Sequence, residues 1–145
     1  MSIYLVLNCE PKALSRTRAS NGHHYYTQKK QDEMNELSWA IVEAMNKQGI
    51  NNRGIDKQSP MGLKSGISVD LVFYISMPKS LSKKKRAEMI GKPHLQKPDL
   101  DNLIKNVLDR ANGLLWNDDD CVYEIKAKKV WAEKGKIEMG VEFEK

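Results

Sequence analysis

Between residues 67 and 76 the chain alternates with a period of two. Ile67, Val69, Leu71, Phe73 and Ile75 fall on one side, and Ser68, Asp70, Val72, Tyr74 and Ser76 on the other. This is the pattern of a β-strand with one buried face, and Pro78 ends it. Two stretches near the C-terminus repeat it. Tyr123, Ile125 and Ala127 alternate with Glu124, Lys126 and Lys128 in a strand continuing through Trp131, while Ile137, Met139, Val141 and Phe143 alternate with Glu138, Gly140 and Glu142. The intervening Glu133-Lys134-Gly135-Lys136 reads as a turn, so these two strands are expected to pair as a C-terminal β-hairpin with one wet face. Residues 3–7, IYLVL, are nearly continuously apolar, which predicts a first strand buried on both faces.

Elsewhere the apolar period lengthens to that of a helix. Thr27 can cap a helix running to about Gln48, with Met34, Leu37, Ile41, Ala44 and Met45 on one face and Gly49 as its stop. Trp39 lies off that stripe, where it either widens the core face or marks a subunit contact. A second helix is expected from Leu100 or Asp101 to Ala111, ended by Asn112-Gly113. Leu100, Leu103, Ile104, Val107, Leu108 and Ala111 form its buried stripe. Ser82 can cap a short helix within SLSKKKRAEMIGK. Asn21-Gly22 signals a turn, and the segment from Gly49 to Gly66 reads as a connecting loop. Strand, helix, strand, then helix and hairpin predict an α+β fold: a small mixed β-sheet with helices packed on one face.

The chain has 145 residues, of which 40% are apolar and 30% charged. These values predict one globular domain, 1–145, and argue against wholesale disorder. Cys9 and Cys121 stand alone, with neither the spacing of a zinc site nor a disulfide framework. With no signal-peptide pattern and no bilayer-length apolar stretch, a soluble intracellular protein with no membrane partner is expected.

Charge changes the picture most. The net charge is +5, yet six aspartates fall between Lys97 and Val122: Asp99, Asp101, Asp109, Asp118, Asp119 and Asp120. Between Lys79 and Lys97 there are seven Lys or Arg residues and one acid, Glu88. Carboxylates suit a hard divalent cation and a basic run suits phosphate, which together suit a metal-dependent enzyme acting on a polyanion. Further upstream, Lys12, Arg16 and Arg18 can touch phosphates, with Tyr25 or Tyr26 stacking or packing beside them. The same segment can equally be a polar loop with aromatic anchors. His23 and His24 are adjacent, so their side chains diverge and are poorly placed to share a metal.

Each acid has an ordinary alternative. Asp99 or Asp101 can be a helix N-cap, Asp118–Asp120 a polar turn, and Lys105 the ion-pair partner of Asp101 or Asp109. Likewise, Lys83, Lys84, Lys85 and Arg86 can be a solvated surface. The combination favours chemistry, because Leu114, Leu115 and Trp116 can return the chain against the helix and bring an acid back toward its start. Carboxylates clustered around Mg²⁺ would activate water and neutralise the charge that develops on a phosphate. EF-hand, P-loop, Rossmann and HExxH patterns are all missing.

The run DLDNLIK at 99–105, Asp109, and GLLWNDD at 113–119 followed by Val122 closely resemble the RusA-like Holliday-junction resolvases. The likeness is specific over roughly residues 97–131. Pro11 to Arg18 with Tyr26-Thr27 is similar, more loosely, to the basic loop of phage-type members. The resemblance implies a small homodimeric endodeoxyribonuclease that depends on Mg²⁺, with Mn²⁺ able to substitute. Such an enzyme cleaves four-way DNA junctions by paired nicks in a bacterium or its phage. It also implies that Asp99, Asp101 and Asp119 are essential metal-holding acids, that Lys105 is catalytic, and that Asp118 is a further ligand or a partner of one. Asp120 falls at a position the family varies. DNA contacts are expected from Lys12, Arg16, Arg18, Lys83, Lys84, Lys85 and Arg86. A nuclease for other branched DNA, or a basic DNA-binding module without catalysis, are the alternatives.

Overall fold

A computed structural model describes residues 2–13, 18–50 and 66–144. The expected 49–66 loop therefore lies mostly outside the described residues, as does Arg16. Among these residues the elements in chain order are β1 (Ser2–Leu7), β2 (Arg18–Ser20), β3 (His23–Tyr25), α1 (Gln28–Lys47), β4 (Ile67–Ser76), α2 (Lys83–Met89), α3 (Leu100–Ala111), β5 (Val122–Ala132) and β6 (Lys136–Phe143), with a 3₁₀ turn at Asp119–Cys121. The fold is α+β, as the periodicities predict.

β1, β6, β4 and β5 form one mixed sheet in that order. β6 runs antiparallel to both β1 and β4, and β5 runs parallel to β4. The expected pairing of the last two strands is corrected here. β5 and β6 follow one another through a tight turn, but β4 is inserted between them and takes hydrogen bonds from both sides. Composition explains the exchange. β4 carries Val72 and Tyr74 on its second face as well as a full apolar first face, which suits a central strand. β5 carries Glu124, Lys126 and Lys128, charges that suit an edge.

Ile3, Leu5 and Leu7, Val69, Leu71 and Phe73, and Ile137, Met139 and Val141 all point to one face of the sheet and are buried. α1 covers that face with Leu37, Ala40, Ile41, Ala44 and Met45, and α3 covers it with Leu103, Val107 and Ala111. Among the described residues no element covers the opposite face, so β1 is buried on one side rather than two, and Tyr4 is 53% exposed. Trp39 does not widen the core, since it points away from it at 72% exposure.

The local signals are realised where hydrogen-bonding chemistry dictates them. Thr27 Oγ1 accepts from Lys30 N–H, and Ser82 Oγ from Lys85 N–H, each at 3.3 Å. Asn21 and Gly22 both adopt positive φ, 51° and 80°, and join β2 to β3 in a two-residue hairpin. Both central residues of a type I′ turn need that conformation, which Asn-Gly accepts at little cost.

Candidate active site

α3 arranges the candidate residues along its exposed side. Asp101, Lys105 and Asp109 are four residues apart, so they stand on successive turns of one helix face, spanning about 12 Å along the axis. Leu103, Val107 and Ala111 on the far side anchor the helix in the core. A buried polar residue that the apolar stripe did not reveal, Asn106, ties in the N-terminal basic segment. Its amide Nδ2 donates to the Lys12 carbonyl at 2.9 Å, and Lys30 Nζ donates to the Ala13 carbonyl at 2.8 Å.

At the start of the helix, Asp99 occupies the N-cap position but its side chain makes no capping hydrogen bond. Its carboxylate instead accepts from Lys97 Nζ at 2.8 Å. That hydrogen bond holds the Asp99 carboxyl below the usual range, and the Lys97 and Lys129 charges reinforce it. Asp101 Oδ1 accepts from the Asn102 N–H at 2.9 Å. Lys129 supports this end from the sheet, its ammonium donating to the Gln96 and Pro98 carbonyls at 2.6 and 2.7 Å. The segment leading into α3 is also stitched to β5 by backbone bonds from Gly91 and His94 N–H to the Trp131 and Lys129 carbonyls.

At the other end, the chain turns back at Leu114–Trp116 as expected, but the acids it carries stay beside Asp109 at the end of α3 and are not brought to its start. Leu115 and Trp116 are fully buried. The Trp116 indole N–H donates to Asn112 Oδ1 at 2.7 Å, while Gly113, at φ 78°, makes the turn. This fold-back delivers Asp118 and Asp119 to the surface. Asp118 Oδ1 accepts from the Asp119 N–H at 2.8 Å. The hydrogen bond shared with Asp118, then burial, then the charges of Asp118 and Asp109 push the Asp119 carboxyl above its ordinary value. Asp120 is exposed, its Oδ1 beside the Cys121 thiol at 3.5 Å.

The acids thus fall into two groups on one side of α3, Asp99 with Asp101 and Asp109 with Asp118 and Asp119. Lys105 stands between them, 64% exposed, with Nζ 3.6 Å from Asp109. Among the described residues no three His, Cys, Asp or Glu side chains converge closely enough to hold a metal ion. The donor chemistry nevertheless suits a hard cation: every acid is an oxygen donor, Asp101 and Asp119 are exposed, and the Lys97 hydrogen bond favours the ionised form of Asp99.

The cations divide by what already engages them. Lys83, Lys84 and Lys85 project from α2 into solvent. Arg86 is absorbed by the fold, donating to the Leu81 and Pro78 carbonyls and pairing with Glu133 at 3.0 Å. Lys12 is exposed, with Nζ 3.8 Å from Glu33. The Arg18 backbone pairs with Tyr25 in the small hairpin, and His23 and His24 lie exposed on its second strand. Lys97 and Lys129 were not singled out from the sequence. One signal for Lys129 was available: it falls on the packed face of β5, in register with Phe73, where the alternation leads one to expect an apolar residue.

Residues 8–142 match the family described as Endodeoxyribonuclease RusA. The chain belongs to the RusA family. Membership places it among nucleases at the level of the family, and the match takes in both acid groups, Lys105, and the basic segments around Lys12 and Lys83–Arg86. The chain is also 39% identical over 77 residues to a Bacillus subtilis (strain 168) protein described as "Uncharacterized protein YqaN". That alignment covers 50% of this chain and 54% of the relative, so the chain spans about half the length of the curated relative it matches. Among the described residues of this RusA-family chain, no helix is long and apolar enough to cross a membrane.

Proposed function

We propose that this chain is a Mg²⁺-dependent, structure-selective endodeoxyribonuclease. It resolves four-way DNA junctions by paired, symmetric phosphodiester hydrolysis, acting as a homodimer in the cytoplasm of a bacterium or phage-infected host. The observation that carries the reading is the file of Asp101, Lys105 and Asp109 along one face of α3, with Asp99 at its start and Asp118–Asp119 beside its end, in a RusA-family chain. Two symmetric cuts require two such sites, which a two-fold dimer supplies.

Asp99, Asp101 and Asp119 would hold Mg²⁺ (or Mn²⁺), with Asp118 as a further ligand or as the hydrogen-bonding partner of Asp119. The bound ion would neutralise phosphate charge and acidify water. Lys105 donates to the phosphate oxygens as charge builds on them. Its 3.6 Å pair with Asp109, exposed on the lysine side, is weak and easily exchanged for that contact. Lys97 favours the ionised form of Asp99, and its ammonium would be available to the DNA backbone where a cation held that carboxylate. Lys83, Lys84 and Lys85, together with Lys12, Arg16 and Arg18, hold flanking phosphates without reading sequence.

The test is incubation of the full chain with a synthetic four-way junction and a matched linear duplex, in Mg²⁺ or EDTA. Paired nicks in the junction, dependent on Mg²⁺ and sparing the duplex, are expected. Tight binding with no cleavage in either Mg²⁺ or Mn²⁺ would leave a DNA-binding module and overturn the enzymatic reading.

A further inference from the structure

The parallel strands β4 and β5 end side by side, and beyond their C-terminal ends lies a cleft of about 460 Å³ that meets the candidate hydrolytic site only at Lys97. Its apolar lining comes from Ile75, Met77 and Trp131. The Trp131 ring is half-buried and held by His94, whose ring centroid lies 4.4 Å away at an interplanar angle of 60°. Trp131 is also fixed through its backbone, which exchanges hydrogen bonds with Gly91 and Lys92 at 2.9 and 3.0 Å. His94 is only 2% exposed, and its Nδ1 is buried with no hydrogen-bonding partner among the described residues. Lys79 and Lys97 add two exposed ammonium groups to the lining, Gln96 adds a carboxamide, and the Glu133 carboxylate there is paired with Arg86 at 3.0 Å. Lys97 is shared with the candidate site, since the same ammonium binds Asp99 at 2.8 Å.

A rigid aromatic surface with apolar neighbours, cations beside it and amide hydrogen-bonding groups is the chemistry of a nucleobase site. The ring stacks, the cations take the flanking phosphates, and the amide meets the base edge. The volume admits one base with room for solvent. A base can leave its stack most cheaply where pairing is already interrupted, as at the branch point of a junction. We propose that this cleft receives one unstacked nucleobase next to the scissile phosphate, with Trp131 as the stacking platform and Lys97 at the edge it shares with the candidate site. The inference rests on the nuclease reading for its placement relative to the cut. The occupant's chemistry, a nucleobase with flanking phosphate, follows from the cleft's lining.

Junctions carrying a single 2-aminopurine, or a single abasic residue, at each position within three nucleotides of the cut would test it. Binding is read first, with the metal withheld, from 2-aminopurine fluorescence. One position should respond in the wild type and lose that response in Trp131→Ala and in Gln96→Ala, the latter an exposed substitution that leaves the core intact. Cleavage is read second. An abasic residue at that same position should slow the wild type by roughly tenfold or more, a factor in line with losing one aromatic–base stack. It should add nothing to the slowing already caused by Trp131→Ala, while Trp131→Phe recovers most of the rate. A fluorescence response that is uniform along the strand, or unaltered by both variants, overturns the proposal, as do abasic and Trp131→Ala effects that multiply. Loss of cleavage with the fluorescence pattern intact would count against the nuclease reading alone and leave the base site supported.

Discussion

Trp116 is the residue on which the geometry of Asp118 and Asp119 depends, and its replacement separates packing from hydrogen bonding. The indole is 1% exposed and its N–H donates to Asn112 Oδ1 at 2.7 Å, closing the turn that follows α3. Trp116→Ala removes the largest fully buried side chain of the core. By the usual cost of large-to-small core substitutions this destabilises by about 3–5 kcal/mol. A domain of this size is stable by only about 5–15 kcal/mol, so the variant should be visibly weakened. Trp116→Phe keeps most of the burial but leaves the half-buried Asn112 carboxamide without its donor, a loss of about 1–2 kcal/mol. Urea unfolding at 25 °C, followed by circular dichroism, gives both values from the midpoint shifts at constant slope. The order wild type, Phe, Ala is expected, with Mg²⁺-dependent cleavage falling further in Ala than in Phe as the Asp118–Asp119 segment loses its anchor. A cost below about 1 kcal/mol for Trp116→Ala, or equal costs for the two variants, would refute the account of this segment as pinned by the indole.

Asp101→Asn should abolish cutting while junction binding is kept or improved, because an amide cannot replace a charged ligand and carboxylate–phosphate repulsion is relieved. Near-normal nicking by the folded variant would remove Asp101 from the chemistry. Asp119→Asn should eliminate activity and Asp120→Asn change it little. Asp119 belongs to the Asp109–Asp118 group, whereas Asp120 faces the Cys121 thiol, and a side-by-side cleavage assay in which the two are equal rejects that register. Lys105→Ala should cut the single-turnover rate by an amount worth about 2–4 kcal/mol, with a smaller change in affinity. If the lysine serves only its exposed pair with Asp109, the change will be near 0.3–0.5 kcal/mol and the rate within about twofold of wild type. Neutralising Lys84 and Lys85 together should weaken binding to linear and branched DNA alike and lower the logarithmic salt slope by roughly 0.9 for each phosphate that goes unneutralised. An unchanged slope would move the phosphate-binding face toward Lys12.

Much of the architecture was legible because it is encoded locally. A period of two over 67–76 and 137–143 is a statement about which side chains share a face, and those faces are the ones the core uses. The stripes of α1 and α3, the caps at Thr27 and Ser82, and the Asn21-Gly22 turn are likewise decided by interactions within a few residues of one another. The return of Leu115 and Trp116 against α3 is equally short-range. The grouping of Asp101, Lys105 and Asp109 needs only 3.6 residues per turn.

What a strand pairs with is a different kind of question. Alternation marks a strand's two faces and is silent on its two edges. The sequence of β5 and β6 was therefore compatible with a hairpin, and only the competition among four strands for two central places put β4 between them. The same holds at the site. Whether Asp99 caps its helix or binds Lys97, whether Lys105 leans to Asp101 or Asp109, and which acid Asp119 faces all depend on side chains brought together by the packing of α3 against the sheet. Lys129 shows the principle most clearly. In the sequence it is one lysine in a charged strand, while in the fold its ammonium holds the Gln96 and Pro98 carbonyls, 33 and 31 residues away in the chain. Periodicity carries no distance information at that range, and tertiary packing alone brings β5 beside the start of α3.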